Sequence, residues 1–217
     1  MKRNLLYLLA AISVFLISCA DSPTTIVNED LTFSPYDFPL KVGNSWTYEY
    51  IDTINRINKY FDYKIVDSEN KDGYEKYFPK SALKNEDWYP EGEIIRKSDS
   101  LIVPFFGIYC KTPLKVGNSW GNPVSSTSEI TITFDSSYVA NAFSDYRLNG
   151  RIYKDVIFLK KRKYFKNNIT HDRFAAEEHL FIAKNIGVIL HSMQAINVDR
   201  NKDVVLYKKY TIKSYML

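Results

Sequence analysis

Hydrophobic and polar residues alternate with a period of two along much of the chain after residue 36. The pattern is clear in three segments, 46–50, 130–134 and 204–212, where apolar side chains fall on one face and polar side chains on the other. A period of two is typical of β-strands that have one buried face. The same region is rich in Tyr, Phe, Ile, Val and Thr, which favour strands. The pattern therefore predicts a β-rich domain.

Turn signals between the predicted strands indicate hairpin connections. Asp72-Gly73 and Asn149-Gly150 are dipeptides that favour tight hairpins, and the polar run 199–203 separates two apolar runs. Helix-compatible pieces occur only at 81–85 and 173–178. We therefore predict an all-β, mainly antiparallel fold, either an open barrel or a strongly curved sheet built from hairpins, with at most one or two short helices.

The first nineteen residues have the organisation of an export signal. Two basic residues, Lys2 and Arg3, precede the apolar stretch 5–17, which is too short to span a bilayer comfortably. The stretch ends in Leu16-Ile17-Ser18-Cys19, which resembles the lipobox of bacterial lipoproteins. The resemblance implies cleavage before Cys19, lipid attachment to its sulfur, and acylation of the new amino group by a fatty acid such as palmitate. The alternative is an ordinary signal peptide that contains a cysteine.

This interpretation divides the chain into three parts. Residues 1–18 are the predicted signal peptide, 19–35 the lipidated cysteine and a polar tether, and 36–217 a single β-rich domain. Removal of Lys2 and Arg3 lowers the formal net charge from +4 to +2, so no nucleic-acid partner is expected. Cys110 is then the only thiol, and we expect a buried structural residue rather than a catalytic nucleophile, because no base lies nearby in the sequence.

An eight-residue segment, Pro-Leu-Lys-Val-Gly-Asn-Ser-Trp, occurs twice, at 39–46 and at 113–120. We interpret it as a structural motif in which the glycine, Gly43 or Gly117, forms a turn and the tryptophan, Trp46 or Trp120, anchors the next strand in the core. The functional alternative is a pair of matched tryptophan sites for a ligand.

The wider pattern supports a resemblance to known proteins. An opening Val-Gly-Asn-x-Trp-x-Tyr strand is followed by the segments 151–157 and 181–189 and by a final strand. This arrangement resembles uncharacterised envelope lipoproteins of Bacteroidota-type bacteria and, more distantly, the open β-barrels of LolA/LolB-like lipoprotein carriers. The resemblance implies an open barrel with room for acyl chains.

Candidate chemistry is sparse. The sequence contains no nucleophile elbow, phosphate-binding glycine loop, zinc-protease helix motif or paired Cys-x-x-Cys, and no cofactor is expected. Glu177 and His179 could share one strand face, with His191 on the next strand, and the three are the available metal ligands. Since histidines without a ligand signature are usually surface or core residues, no metal site is expected here.

The densest basic run is Lys160-Lys161-Arg162-Lys163. We expect it to protect the edge of a sheet against unwanted strand pairing. The functional alternative is contact with anionic lipid or with glycan phosphates.

Together these observations predict a lipid-anchored protein of the cell envelope, attached to a membrane through Cys19, with the outer membrane favoured. Its expected role is non-enzymatic, either structural or in binding an apolar ligand or an envelope protein partner. The alternative is a lipid-anchored hydrolase of envelope or dietary glycan, which requires two carboxylates about 5–10 Å apart across a cleft.

Overall fold

A computed structural model describes residues 26–84, 86–122, 124–200 and 203–217. The predicted signal peptide, the lipobox with Cys19 and the first part of the tether lie outside these residues. The described chain forms one sheet of fourteen strands. The strands are β1 (Ile26–Val27), β2 (Ser45–Asp52), β3 (Ile57–Lys71), β4 (Tyr74–Leu83), β5 (Tyr89–Pro90), β6 (Ile94–Arg96), β7 (Ser100–Val103), β8 (Ile108–Lys111), β9 (Ser119–Gly121), β10 (Ile130–Leu148), β11 (Arg151–Asn167), β12 (Arg173–Ala183), β13 (Gly187–Asn197) and β14 (Val204–Met216).

The strand order is β1-β10-β11-β12-β13-β14-β2-β3-β4-β6-β7-β8, with β5 beside β4 and β9 beside β10. Every pairing is antiparallel, and β14 pairs with β2, so the last strand joins the two halves of the chain. The sheet is not closed into a barrel, which confirms the predicted fold class. The segments that follow β1 and β8, the first and last strands in this order, approach each other, since Phe33 and Leu114 form an isolated antiparallel bridge.

The two helix-compatible segments form strands instead of helices. Residues 81–83 continue β4, and residues 173–178 lie in β12 between β11 and β13. In β12 alternate residues Ala176, Glu178 and Leu180 are buried. Cross-strand pairing and this burial outweigh the helix propensity of the sequence Ala-Ala-Glu-Glu. The only helical segments among the described residues are 3-10 turns at Pro35–Asp37 and Pro104–Phe106. In this part of the chain no helix has the length and apolar character needed to span a bilayer.

The segment 100–111, which comprises β7, the 3-10 turn Pro104–Phe106 and β8, packs against the inner face of the sheet. We call this segment the plug. Phe106 is 2% exposed, and its ring lies 5.3 Å from that of Tyr48 and 5.9 Å from that of Tyr63. The plug also contacts β11 on the opposite side, through the hydrogen bond from Lys161 to the Gly107 carbonyl. The curved sheet therefore surrounds the plug, and the plug fills the space inside the curve.

The hydrophobic alternation fails at the start of β10. Phe134 is 44% exposed whereas Asp135 is 7% exposed, so the charged residue rather than the aromatic one occupies the inner face. The predicted hairpin turns are present. Asn149 and Gly150 both have positive φ, at 50° and 76°, whereas at 72–73 only Gly73 has a positive φ, at 83°.

The long strands β10 to β14 give the sheet two distinct ends. The near end carries the 149–150 and 184–186 turns, residues 215–217, and Ile26, which pairs with Asp145 of β10. The far end carries the β11–β12 and β13–β14 connections and the start of β10. The 17 residues of β11 separate the two ends by about 55 Å at the usual rise per residue.

Candidate functional site

Both copies of the repeated segment form the same turn at the glycine and asparagine. Gly43 and Gly117 have φ of 97° and 90°, in the region that favours glycine. In each copy the asparagine side chain donates to the carbonyl of the first proline, at 3.0 Å for Asn44 and 2.9 Å for Asn118. Each glycine N–H also donates to the adjacent long strand, that of Gly43 to the Ile65 carbonyl at 2.9 Å and that of Gly117 to the Val139 carbonyl at 3.0 Å.

The two tryptophans that follow these turns are both buried, Trp46 at 3% and Trp120 at 8% exposure. The indole N–H of Trp46 donates to the Ile186 carbonyl at 2.6 Å, and that of Trp120 donates to the Tyr109 carbonyl at 2.6 Å. Trp120 therefore attaches β9 to β8 of the plug, where no strand ladder joins them. Both rings pack in the core, and an edge of Trp120 also borders a surface pocket together with Phe134 and Tyr138.

A group of ionisable side chains lies inside the sheet, on four neighbouring strands. Its members, called here the charge cluster, are Asp135 on β10, Lys161 and Lys163 on β11, Glu178 on β12 and His191 on β13. Lys161 Nζ lies 3.7 Å and Lys163 Nζ 3.6 Å from Asp135 Oδ2. Glu178 lies 4.0 Å from Lys163 Nζ and 3.3 Å from His191 Nε2. Buried charges are tolerated only when they are paired, and each of these side chains has a partner within the cluster.

The charge cluster holds the plug in place. Lys161 Nζ donates to the carbonyl of Gly107 at 3.0 Å, and the ring of Phe106 lies edge-on to His191 at 6.0 Å. A Cβ atom at Gly107 would stand 3.5 Å from Glu178 Oε2, and Gly107 has φ of 61°, so the turn approaches the carboxylate closely. The cluster therefore fastens the 3-10 turn of the plug to β11 and β12.

The surroundings set the protonation of the buried groups. Burial acts to raise the pKa of Glu178, but the hydrogen bond from His191 and the charges of Lys161, His191 and Lys163 outweigh it, and the net shift is downward. Burial raises the pKa of the Cys110 thiol to about 12, with the charge of Lys161 opposing the shift. A thiol with so high a pKa is a poor nucleophile at neutral pH.

The structure brings together only two of the three candidate metal ligands. His179 Nε2 lies 2.5 Å from Glu177 Oε1 on the outer face of β12. His191 lies on the inner face, because it pairs with Leu180 of β12 whereas His179 pairs with Ser192 of β13. Within the described ranges no three His, Cys, Asp or Glu side chains form a group suited to a metal ion.

The basic run 160–163 is not at a sheet edge, so that prediction is wrong. It lies in β11, which pairs with β10 on one side and with β12 on the other. Alternation splits the run between the faces: Lys161 and Lys163 enter the charge cluster, whereas Lys160 and Arg162 lie on the outer face, close to Glu177. The spacing of the lysines in the sequence does not indicate that Asp135 and Glu178, on the two neighbouring strands, pair with two of them inside the sheet.

One group of exposed apolar residues lies at the far end of the sheet. Tyr164 of β11 and Phe174 of β12 line a shallow, mainly apolar groove together with Thr133, Phe165 and Val198. Nearby large apolar side chains with at least 40% exposure are Ile130, Phe134, Tyr164, Ile169, Val198, Val204 and Val205. So many exposed apolar side chains at one end of a sheet indicate an interaction surface.

Comparison with known proteins identifies the fold alone. No protein-family model and no curated protein sequence matches the chain. The chain is similar in structure to a protein of Parabacteroides distasonis described as an inferred lipoprotein, with a TM-score of 0.54 and 10% sequence identity over 86% of this chain and all of that one. A protein of Bacteroides fragilis described as an inferred exported protein with a YmcC-like fold also matches, at a TM-score of 0.46 and 10% identity over the same shares. The chain thus shares its fold with the Parabacteroides distasonis protein.

Proposed function

We propose that the chain is an envelope lipoprotein, anchored through lipid on Cys19, whose β domain binds a protein partner and catalyses no reaction. The Leu16-Ile17-Ser18-Cys19 sequence supports the anchor. The description of the Parabacteroides distasonis protein as a lipoprotein agrees with it. The outer membrane is the membrane we expect, with the domain on either its periplasmic or its outer side.

The observation that carries the non-enzymatic role is the plug. It covers the inner aromatic face, and its Gly107 carbonyl accepts a hydrogen bond from Lys161 within the charge cluster. Two carboxylates, Asp135 and Glu178, are buried there and paired with lysines, and Asp135 also borders a surface pocket with Trp120 and Tyr138. A glycosidase needs carboxylates that reach a substrate from two sides, so this arrangement favours binding over hydrolysis.

The same plug favours a protein partner over an apolar ligand held inside the sheet. Phe105 and Phe106 occupy the space next to the inner aromatic residues, with Phe105 at 5.3 Å from the ring of Phe61. The proposed partner therefore binds at the surface of the sheet. The far end presents aromatic side chains together with Arg173, and these residue types are enriched in protein interfaces.

Native mass spectrometry of the protein extracted from its own membrane in mild detergent tests this function. We expect the unmodified chain to retain a protein partner, the double variant Phe134→Ala/Tyr164→Ala to lose it, and the control Tyr60→Ala to keep it. Tyr60 is 44% exposed, as Phe134 is, but lies on β3. A retained lipid beyond the anchor, with no protein, contradicts the proposal and supports an apolar-ligand carrier. A partner that survives the double variant contradicts the far-end site.

A further inference from the structure

The near end of the sheet carries a second group of exposed apolar side chains. Ile152 is 56% exposed, Tyr215 41% and Met216 66%. Ile152 is the second residue of β11, whereas Tyr215 and Met216 end β14, beside Trp46 and Ser45 of β2. Ile152 and Tyr215 nevertheless line one shallow groove with Ile186, because the short 184–186 turn between β12 and β13 leaves the ends of β11 and β14 adjacent.

Basic side chains surround this apolar group. Arg151 Nη1 donates to the carbonyl of Lys213 at 3.0 Å and so ties the start of β11 to β14. The Lys154 side chain is 74% exposed and pairs with Asp145. Lys184 pairs with Asp37 at 3.3 Å, and Lys213 pairs with Glu49 at 2.8 Å. The guanidinium of Arg151 adds a positive charge beyond these lysine–carboxylate pairs.

The connection to the predicted anchor ends at the same place. Ile26 pairs with Asp145 of β10, whose other neighbour in the sheet is Lys154 of β11. Ile26 follows Cys19 by only seven positions in the sequence. A chain of that length spans at most about 25 Å, whereas the far end lies about 55 Å beyond the near end at the usual rise per strand residue. A lipid on Cys19 therefore keeps the near end close to the membrane.

We propose that the near end is a membrane-contact surface that rests on an anionic phospholipid bilayer. Met216, Tyr215 and Ile152 enter the interfacial layer, and Arg151 and Lys154 meet the lipid phosphates. Tyrosine favours the bilayer interface, and the long stems of Lys and Arg allow their charges to reach headgroups while their methylene groups lie along apolar surface. This inference rests on the proposed anchor at Cys19, and it orients the domain with its far end pointing away from the membrane.

Two single-cysteine positions with matched exposure test the orientation. Met216→Cys at the near end and Ile169→Cys at the far end replace side chains that are 66% and 70% exposed. Each full-length lipidated protein is labelled with a polarity-sensitive fluorophore. The label is expected to react with the introduced cysteine, because Cys110 is 1% exposed and Cys19 is proposed to carry lipid. The unsubstituted protein serves as the labelling control. The proteins are then reconstituted into vesicles of phosphatidylethanolamine and phosphatidylglycerol, with or without bromine on the acyl chains.

The label at residue 216 is expected to shift its emission to the blue and to be quenched by the brominated lipid, while the label at 169 keeps its emission in water. Replacing phosphatidylglycerol with phosphatidylcholine, or introducing Arg151→Glu together with Lys154→Glu, should reduce the quenching at 216. The inference is overturned if the protein has the lipidated mass and binds the vesicles, but the label at 216 is not quenched. Quenching of the label at 169 in such a protein overturns it as well. Protein that lacks lipid mass and stays off the vesicles instead shows that the anchor of the proposed function has failed.

Discussion

Two glycines, Gly43 and Gly117, begin the turns that lead into the buried tryptophans of β2 and β9. Both have φ near 90°, and a Cβ at either position would meet no atom within 4 Å. Replacement by alanine therefore costs backbone conformational energy alone. We expect Gly43→Ala and Gly117→Ala each to lower the free energy of unfolding by about 1–2 kcal/mol.

Chemical denaturation of the purified variants measures this cost. Gly121→Ala is the matched control, because a Cβ there also meets open space but the backbone is outside the left-handed region. Losses at 43 and 117 that do not exceed the effect of the control would contradict the role assigned to the repeat.

The lowered pKa of Glu178 makes a prediction about acid stability. A carboxyl whose pKa is lower in the folded than in the unfolded state contributes stability above its unfolded pKa, about 4.3 for glutamate, and loses it as pH falls through the folded value. The melting temperature should therefore decrease as the pH is lowered below about 5. The variant Glu178→Gln should show a weaker dependence of melting temperature on pH and a lower stability at neutral pH. The exposed Glu129→Gln serves as the control, and an unchanged pH profile in Glu178→Gln would contradict the pairing.

At the residue scale, the sequence predicts local features better than distant pairings. The turn at Gly43 and the anchoring by Trp46 follow from a short motif whose parts are adjacent in the chain. Asp135 and Glu178 give no such signal, because polar residues in an alternating segment normally face solvent. Their lysine partners on β11 become their neighbours only once the strand register is formed.

At the scale of elements, the plug is the segment that determines what the sheet can hold. Phe106 packs among Tyr48, Tyr63 and His191 and is 2% exposed. Deleting its ring leaves a cavity under the plug, so Phe106→Ala should lower the free energy of unfolding by about 3–5 kcal/mol.

Hydrogen exchange distinguishes loosening of the plug from general destabilisation. We expect amides of β7 and β8 to exchange faster in Phe106→Ala than in the native protein, with β12 and β13 changed less, because the plug strands lie at one end of the sheet order. Phe134→Ala, at an exposed position, should leave both stability and exchange unchanged. Equal acceleration in all strands would contradict an independently held plug.

Alternation predicted strands at β2, at the start of β10 and at β14, and strands are present there, although at the start of β10 Asp135 rather than Phe134 is buried. Sequence reasoning failed for β12, where Ala and Glu favour a helix in isolation but hydrogen bonds to β11 and β13 determine the outcome. It failed again for the basic run, because the position of a strand within the sheet depends on pairings between distant segments. The plug itself gave no sequence signal, since its short strands and 3-10 turn resemble any connecting segment.

On the scale of the whole molecule, the single open sheet has two chemically different ends. Pairing of β14 with β2 joins the halves of the chain, and the hairpins of β10 to β14 extend the sheet away from Ile26. The all-β class and hairpin construction were predictable from composition and turn signals. The assignment of exposed apolar groups to opposite ends was not, because it depends on strand lengths and register.

The proposed anchor predicts where the protein is found in the cell. Cys19→Ala should move the protein from the membrane fraction or prevent its maturation, whereas Cys110→Ala should leave it in the membrane. Cys110 is buried, so its replacement tests whether loss of a thiol alone has an effect. Cell fractionation followed by immunodetection measures both variants, and equal distribution of the two would contradict anchoring through Cys19.

The most direct test of the proposed envelope lipoprotein is the intact mass of the protein extracted from its own membrane. The account predicts a chain that begins at Cys19, with the added mass of a diacylglyceryl group on sulfur and a fatty acyl group on nitrogen. Fragmentation should place both groups on that residue. A chain that retains residues 1–18, or one that begins near residue 19 without lipid mass, would contradict it.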